Sequence, residues 1–173
     1  MLTLNLSRIR TASERFERVL DAEACAAADD PFGITAPVAL RFEVFKDKDR
    51  YRVIGTVETT LELTCSRCLE PYPWPVGGAF DLLYLPKEAG DEGEREIRDG
   101  DFSAAVYENE AIDLGQLVRE QLFLAVPMKP LCAESCQGLC PLCGTNHNRG
   151  ACACRRDWDD PRLAALRALK GEE

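Results

Sequence analysis

The sequence predicts an α+β protein: an antiparallel sheet of three or more strands packed by one or two helices, with a C-terminal Cys-rich tail. Three observations carry this reading. Between residues 38 and 84 apolar side chains recur with a period of two, the pattern of strands that turn one face to a core and one to water. Helical stripes follow at Leu114, Leu117, Val118, Leu122 and Ala125, and again at Leu163, Leu166 and Leu169. Six of the nine cysteines fall between Cys132 and Cys154. The expected organisation is an α+β domain over residues 1–130 and a tail with its helix over 131–173, the two packed as one unit.

The bulk composition sets bounds. A chain of 173 residues with 46% hydrophobic and 29% charged residues has the make-up of an ordinary globular protein that can bury a core. Its formal charge of −9 argues against non-specific nucleic-acid binding, which relies on Lys and Arg displacing counterions from phosphates. Basic partners suit this balance better. No apolar run reaches the ~18 residues that suggest a membrane span, and Arg8 interrupts the N-terminus before an apolar region of signal-peptide length forms. The expected location is cytoplasmic, without a membrane partner.

The elements follow in order. Leu2, Leu4 and Leu6 alternate as a short strand, and 13–20 carries a weak helical pattern. Cys25, among alanines, reads as a small hydrophobe. Val38, Leu40, Phe42 and Val44 form the inward row of the first clear strand, and 46–50 is a charged turn. Val53, Val57, Leu61 and Leu63 belong to a long amphipathic strand, and Trp74, Val76, Phe80, Leu82 and Tyr84 to the next. Residues 87–101 hold seven acidic side chains against three basic ones, a solvated loop or a docking segment for a basic protein. Asp113 with Gln116 looks like a capping box opening a helix at about 113–126, which Pro127 and Pro130 end. Asp160-Pro161 opens the last helix.

Cys65-Ser66-Arg67-Cys68 joins two strands as a knuckle at a hairpin end, where two thiolates can grip one ion from the same side. A redox role suits it less, because reactive C-x-x-C thiols usually start a helix. Cys140-Pro141-Leu142-Cys143-Gly144 is a second knuckle, its Gly supplying a left-handed backbone, and Cys152 and Cys154 follow across the turn-rich 145–150. Disulfides are rare in reducing compartments, and nine cysteines do not pair evenly. Metal is the better reading, with zinc first and an iron–sulfur cluster behind it. One partition joins Cys140, Cys143, Cys152 and Cys154 at one ion and Cys65, Cys68, Cys132 and Cys136 at another. The other joins the two C-x-x-C knuckles. Loop-closure entropy favours the first, local arrangement, with one or two structural Zn2+ ions. A closed shell of four thiolates has no open position for substrate. His147, the only histidine, reads as a turn residue, and general acid–base work most often uses His. No catalytic residues are assigned and an enzyme is not expected.

Cys65-Ser66-Arg67-Cys68-Leu69-Glu70-Pro71-Tyr72, Ile112-Asp113-Leu114, the stretch 125–132, Cys136-Gln137-Gly138-Leu139-Cys140-Pro141-Leu142-Cys143-Gly144 and Asp160-Pro161-Arg162-Leu163 together resemble the YceD family of bacterial large ribosomal RNA subunit accumulation proteins, over roughly residues 35–170. The resemblance implies a non-enzymatic ribosome-biogenesis factor whose partner is a large-subunit ribosomal protein or pre-ribosomal particle. Two other functions compete with it. A zinc-dependent RNA-binding module would contact rRNA through Arg67, Arg149, Arg155 and Arg156, and a thiol redox sensor would switch the same partner.

Overall fold

A computed structural model describes residues 2–87 and 104–154. The acidic segment from Glu88 to Asp101, Arg155, Arg156 and the expected C-terminal helix lie outside the described residues. Eight strands and two helices are present among them: β1 (Thr3–Asn5), β2 (Ser13–Leu20), α1 (Ala22–Cys25), β3 (Gly33–Ile34), β4 (Val38–Asp47), β5 (Arg50–Thr64), β6 (Pro71–Pro86), β7 (Ala104–Tyr107), β8 (Ala111–Asp113) and α2 (Leu114–Ala125). A 3-10 turn, Leu6–Arg8, follows β1.

The main sheet has the order β2-β4-β5-β6-β7, with β3 pairing to β5 beyond the end of β4. Alternation built it: Val38, Leu40 and Val44 of β4 and Val53, Val57, Leu61 and Leu63 of β5 are almost completely buried, while on the opposite face Arg41 pairs with Glu17 and Glu58, and Arg52 with Asp81. Gly55 stands between Phe42 and Phe80. A Cβ there would clash with the Arg41 carbonyl and lie 2.6 Å from Phe42 Cβ and 2.8 Å from the Phe80 ring, so only glycine lets β4 and the Phe80 ring pack this close to the strand.

Three expectations are corrected. The sheet is mixed, because β7 pairs parallel to β6, Leu83 opposite Ala104; a parallel neighbour needs a longer connection than a tight hairpin. Residues 13–20 are a strand and not a helix: β2 runs antiparallel to β4 and stacks Phe16 on Phe42 with ring centroids 5.2 Å apart. Cross-strand packing here overrides a weak helical periodicity. The capping box is half built. Asp113 Oδ1 accepts from the N–H groups of Gly115 and Gln116, but the Gln116 side chain donates to Glu120 instead.

Helix α2 lays Leu114, Leu117, Val118 and Leu122 into the core over β6. Its outer face is tied to the loop after α1 by Arg119, whose Nε and Nη2 donate to Asp30 Oδ1 at 2.8 and 2.6 Å. The Asp30 carboxylate is buried, and the Arg119 hydrogen bonds hold it below the usual carboxylate range against the opposing effect of burial. A small second sheet pairs β1 with β8, so the N-terminus fixes the entry of α2, with Leu114 N–H donating to the Leu2 carbonyl at 2.7 Å. Prolines end α2 and turn the chain back toward the β5–β6 hairpin. There the Ser66 N–H donates to the Pro130 carbonyl at 2.8 Å, and that bond delivers the tail to the first knuckle.

Candidate metal centres

The β5–β6 connection is the first anchor. Cys65 N–H donates to Glu70 O at 3.0 Å, and Leu69 N–H to Cys65 O at 2.9 Å, closing a tight turn in which Leu69 takes φ +59°. In the second knuckle Gly144 N–H donates to Cys140 O at 2.9 Å, and Gly144 has φ +74°. The two C-x-x-C turns thus share one backbone form. The second carries the residue that adopts it freely, whereas the first holds an exposed leucine in a conformation costing on the order of 1–2 kcal/mol.

The sulfurs gather into two groups, Cys65, Cys68, Cys132 and Cys136 in one and Cys140, Cys143, Cys152 and Cys154 in the other, each with its atoms within 4.8 Å of one another. None is in a disulfide. Cys65 and Cys136 sulfurs are 3.8 Å apart, and Cys68 and Cys132 sulfurs 3.7 Å. A tetrahedron with metal–sulfur bonds of ~2.3 Å has edges of about 3.8 Å. The donor set therefore fits a divalent ion with closed sulfur coordination. In the first group Cys65, Cys68 and Cys136 are buried, whereas in the second only Cys140 is.

Protonation divides each group in half. Burial pushes the Cys65 thiol up, but the N–H groups of Cys68, Cys132 and Arg67 outweigh it and hold it at about 6. The Asn148 amide lowers Cys136. The Glu70 N–H favours the Cys68 thiolate, yet burial and the neighbouring sulfurs leave that thiol raised; burial and the sulfurs of Cys65 and Cys136 push Cys132 up to about 12. In the second group the Thr145 hydroxyl and N–H bring Cys143 to about 6, and the N–H groups of Cys143 and Leu142 lower Cys140. Cys154 is pushed up to about 12, first by Cys143. For Cys152 the Cys154 N–H favours the thiolate, but Cys140, burial and Cys143 outweigh it and raise the thiol. Two thiols lowered and two raised at such range are what a dication would resolve, its two positive charges replacing the two remaining protons.

The remaining expected site residues are placed as follows. Arg67 Nη1 donates to the carbonyls of Glu134 and Cys136 at 3.0 and 2.8 Å, so its guanidinium faces the tail. Arg149 pairs with Glu70 at 2.7 Å. His147 belongs to neither sulfur group and donates its N–H to the Gly138 carbonyl. Cys25 is buried beside α2, its thiol raised by burial and by Asp113 and Asp21, apart from both groups. Sequence reasoning missed Asn148, whose amide reaches the Cys136 sulfur at 3.2 Å. The only available signal was the Asn-rich turn at 146–148.

Together these features define a sheet protein whose C-terminal segment is folded around two four-cysteine sites able to hold metal ions. Residues 53–170 match the family described as Large ribosomal RNA subunit accumulation protein YceD, and the chain belongs to that family. It is 30% identical over 163 residues to the chloroplastic "Large ribosomal RNA subunit accumulation protein YCED homolog 1" of Zea mays, covering 78% of this chain and 53% of the relative. The Arabidopsis thaliana homolog 1 is 28% identical over 159 residues, with 78% and 49% covered. An uncharacterized Mycobacterium tuberculosis protein is 34% identical over 128 residues, with 70% and 56% covered. The chain spans about half the length of these relatives. No solved structure gives a significant match. No helix among the described residues is long and apolar enough to cross a membrane.

Proposed function

We propose that this protein is a non-catalytic ribosome-biogenesis factor that supports accumulation of large-subunit ribosomal RNA, and that zinc fills both four-cysteine sites as a structural clamp. The family match over residues 53–170 carries the first part. The closed sulfur shells support the second, since four thiolates leave zinc no position for substrate or water. With a formal charge of −9, the factor holds a basic large-subunit protein, or a particle containing one, by charge complementarity. Arg67 and Arg149 serve the tail's own structure in this reading, not RNA.

The test has two parts. Cells lacking the gene are expected to show a lowered ratio of large-subunit to small-subunit ribosomal RNA, restored by the intact chain; an unchanged ratio under growth and cold stress rejects the role. Elemental analysis of the purified protein is expected to give two zinc ions per chain, and metal-free protein with an unchanged fold rejects the clamp.

A further inference from the structure

The loop that closes the second sulfur site is also part of the first. Residues 145–149 lie between the ligands Cys143 and Cys152, and they pair backward along 136–140. Cys140 N–H donates to Thr145 O at 2.8 Å, His147 N–H to Gly138 O at 2.9 Å, and Leu139 and Asn146 form an antiparallel bridge. The middle segment in turn rests on the first knuckle. Leu139 N–H donates to Arg67 O at 3.1 Å, and Gly138, at φ +73°, would bring a Cβ within 3.0 Å of that same carbonyl. Three layers of chain, 65–70, 136–140 and 145–149, therefore share one hydrogen-bond stack.

Asn148 stands at its centre. Its Oδ1 accepts from the Gln137 N–H at 2.8 Å, which fixes the orientation of the amide. Its Nδ2 then faces the Cys136 sulfur at 3.2 Å and the Asn146 Oδ1 at 2.9 Å. Asn146 Oδ1 also accepts from the Asn148 N–H at 2.9 Å, while Asn146 Nδ2 is buried without a partner among the described residues. Leaving a buried donor unpaired is unfavourable, so the carbonyl of Asn146 is held toward Asn148 at the expense of its own amino group. Every polar atom of the Asn148 side chain is thus directed, and one N–H reaches a ligand of the other site.

We propose that Asn148 links the two sulfur sites: the loop that one metal ion closes carries the amide that steadies the Cys136 thiolate on the other ion, so filling the exposed site tightens the buried one. A donor to a ligating sulfur relieves part of the −2 charge of a zinc–thiolate shell and fixes the ligand's direction, and such outer partners typically change metal affinity 10–100-fold. Thermodynamic linkage makes the effect mutual, so the buried ion tightens the exposed site by the same factor. This rests on the reading that both groups bind metal.

The test is a cobalt(II) titration of the reduced, metal-free full chain against a competing chelator, following the thiolate-to-cobalt absorption. The variant C152S/C154S, in which only the buried site can fill, assigns the two steps. It is expected to hold its single ion about tenfold more weakly than the intact chain holds the same ion. N148A is expected to bind two ions, with the buried site weakened by a similar factor. N148D keeps an acceptor for Gln137 but presents negative charge to Cys136, and is expected to be weaker still. Adding N148A to C152S/C154S is expected to cause little further loss, the signature of a shared path. Wild-type affinity of both sites in N148A overturns the proposal alone, as does full additivity of the two changes. Absence of any thiolate–cobalt absorption in the unaltered chain overturns the metal reading and the linkage with it.

Discussion

The two four-cysteine groups are built from the same residue type and differ in where in the chain those cysteines come from. The exposed group is local: all four residues fall between Cys140 and Cys154, and an ion there closes a short loop. The buried group draws Cys65 and Cys68 from the end of the longest hairpin and Cys132 and Cys136 from the tail, so an ion there joins two distant parts of the chain. Apolar packing around it is slight, with Tyr72 and Leu131 the partly buried hydrophobics against Cys65, Cys68 and Cys136. The sheet has a continuous core of its own. Filled with metal, one site would shape a loop, whereas the other would fasten the tail to the sheet.

The largest expected difference comes from removing one ligand at each site. Cys68→Ser and Cys143→Ser should each lose one metal ion per chain, an interaction on the order of 10 kcal/mol for structural zinc. In Cys68→Ser, hydrogen exchange should rise throughout residues 131–149, because the tail leaves the hairpin. In Cys143→Ser the rise should stay within 140–154, and β4 and β5 should keep their protection in both. Equal exchange patterns in the two variants would erase the distinction.

Acid comes next and should treat the sites alike. Cys68 and Cys132 in one group, and Cys152 and Cys154 in the other, have thiols raised above their ordinary value, so near neutral pH each ion must displace at least two protons. Affinity then falls as pH falls, about tenfold per proton per pH unit. The dependence steepens below about 6, where Cys65 and Cys143 also hold protons before binding. Chelator competition across pH measures the slope, and an affinity that rose toward acid would contradict thiolate ligation.

Glycine substitutions probe how each turn is seated. Gly138 and Gly144 both have positive φ, so alanine costs about 1 kcal/mol at either. At Gly138 its Cβ also meets the Arg67 carbonyl at 3.0 Å, while nothing lies within 4 Å at Gly144. Gly138→Ala should therefore weaken tail docking by about 2 kcal/mol in total, read as faster metal loss to a chelator, and Gly144→Ala by about half that. The smallest effect belongs to Arg149→Ala. Its pair with Glu70 is largely exposed, and such pairs contribute about 0.5 kcal/mol, so metal loss should quicken no more than about threefold.

Much of this was legible in the residues because it depends on local periodicity. Val53, Val57, Leu61 and Leu63 announced β5, and Asp113 with the following leucines announced α2. Strand β2 over Ser13–Leu20 was hidden, since Phe16 takes its strand position by stacking on Phe42, a residue far along the chain. The parallel β7 was hidden for the same reason: Ala104–Tyr107 is short and carries no pattern that distinguishes one edge partner from another. The cysteine spacings pointed to the eight sulfurs that the structure gathers into two groups. Leu69 gave no sign of the left-handed turn, because that conformation belongs normally to glycine and only the hairpin's closure imposes it.

The sequence by itself determined which segments alternate, where α2 begins and which sulfurs stand close enough in the chain to share an ion, because these follow from side-chain period, capping and loop length. Only the tertiary structure decided that Cys132 and Cys136 come to lie beside Cys65 and Cys68, that Arg67 turns to the tail's carbonyls and Arg149 to Glu70 of the hairpin end, and that Asn148 reaches from one sulfur group to the other. Those outcomes depend on the path of the chain after α2. Pro127 and Pro130 end the helix, and the bond from Ser66 N–H to the Pro130 carbonyl sets the tail against the hairpin; such long-range closure is a property of the packed fold, which no local pattern records.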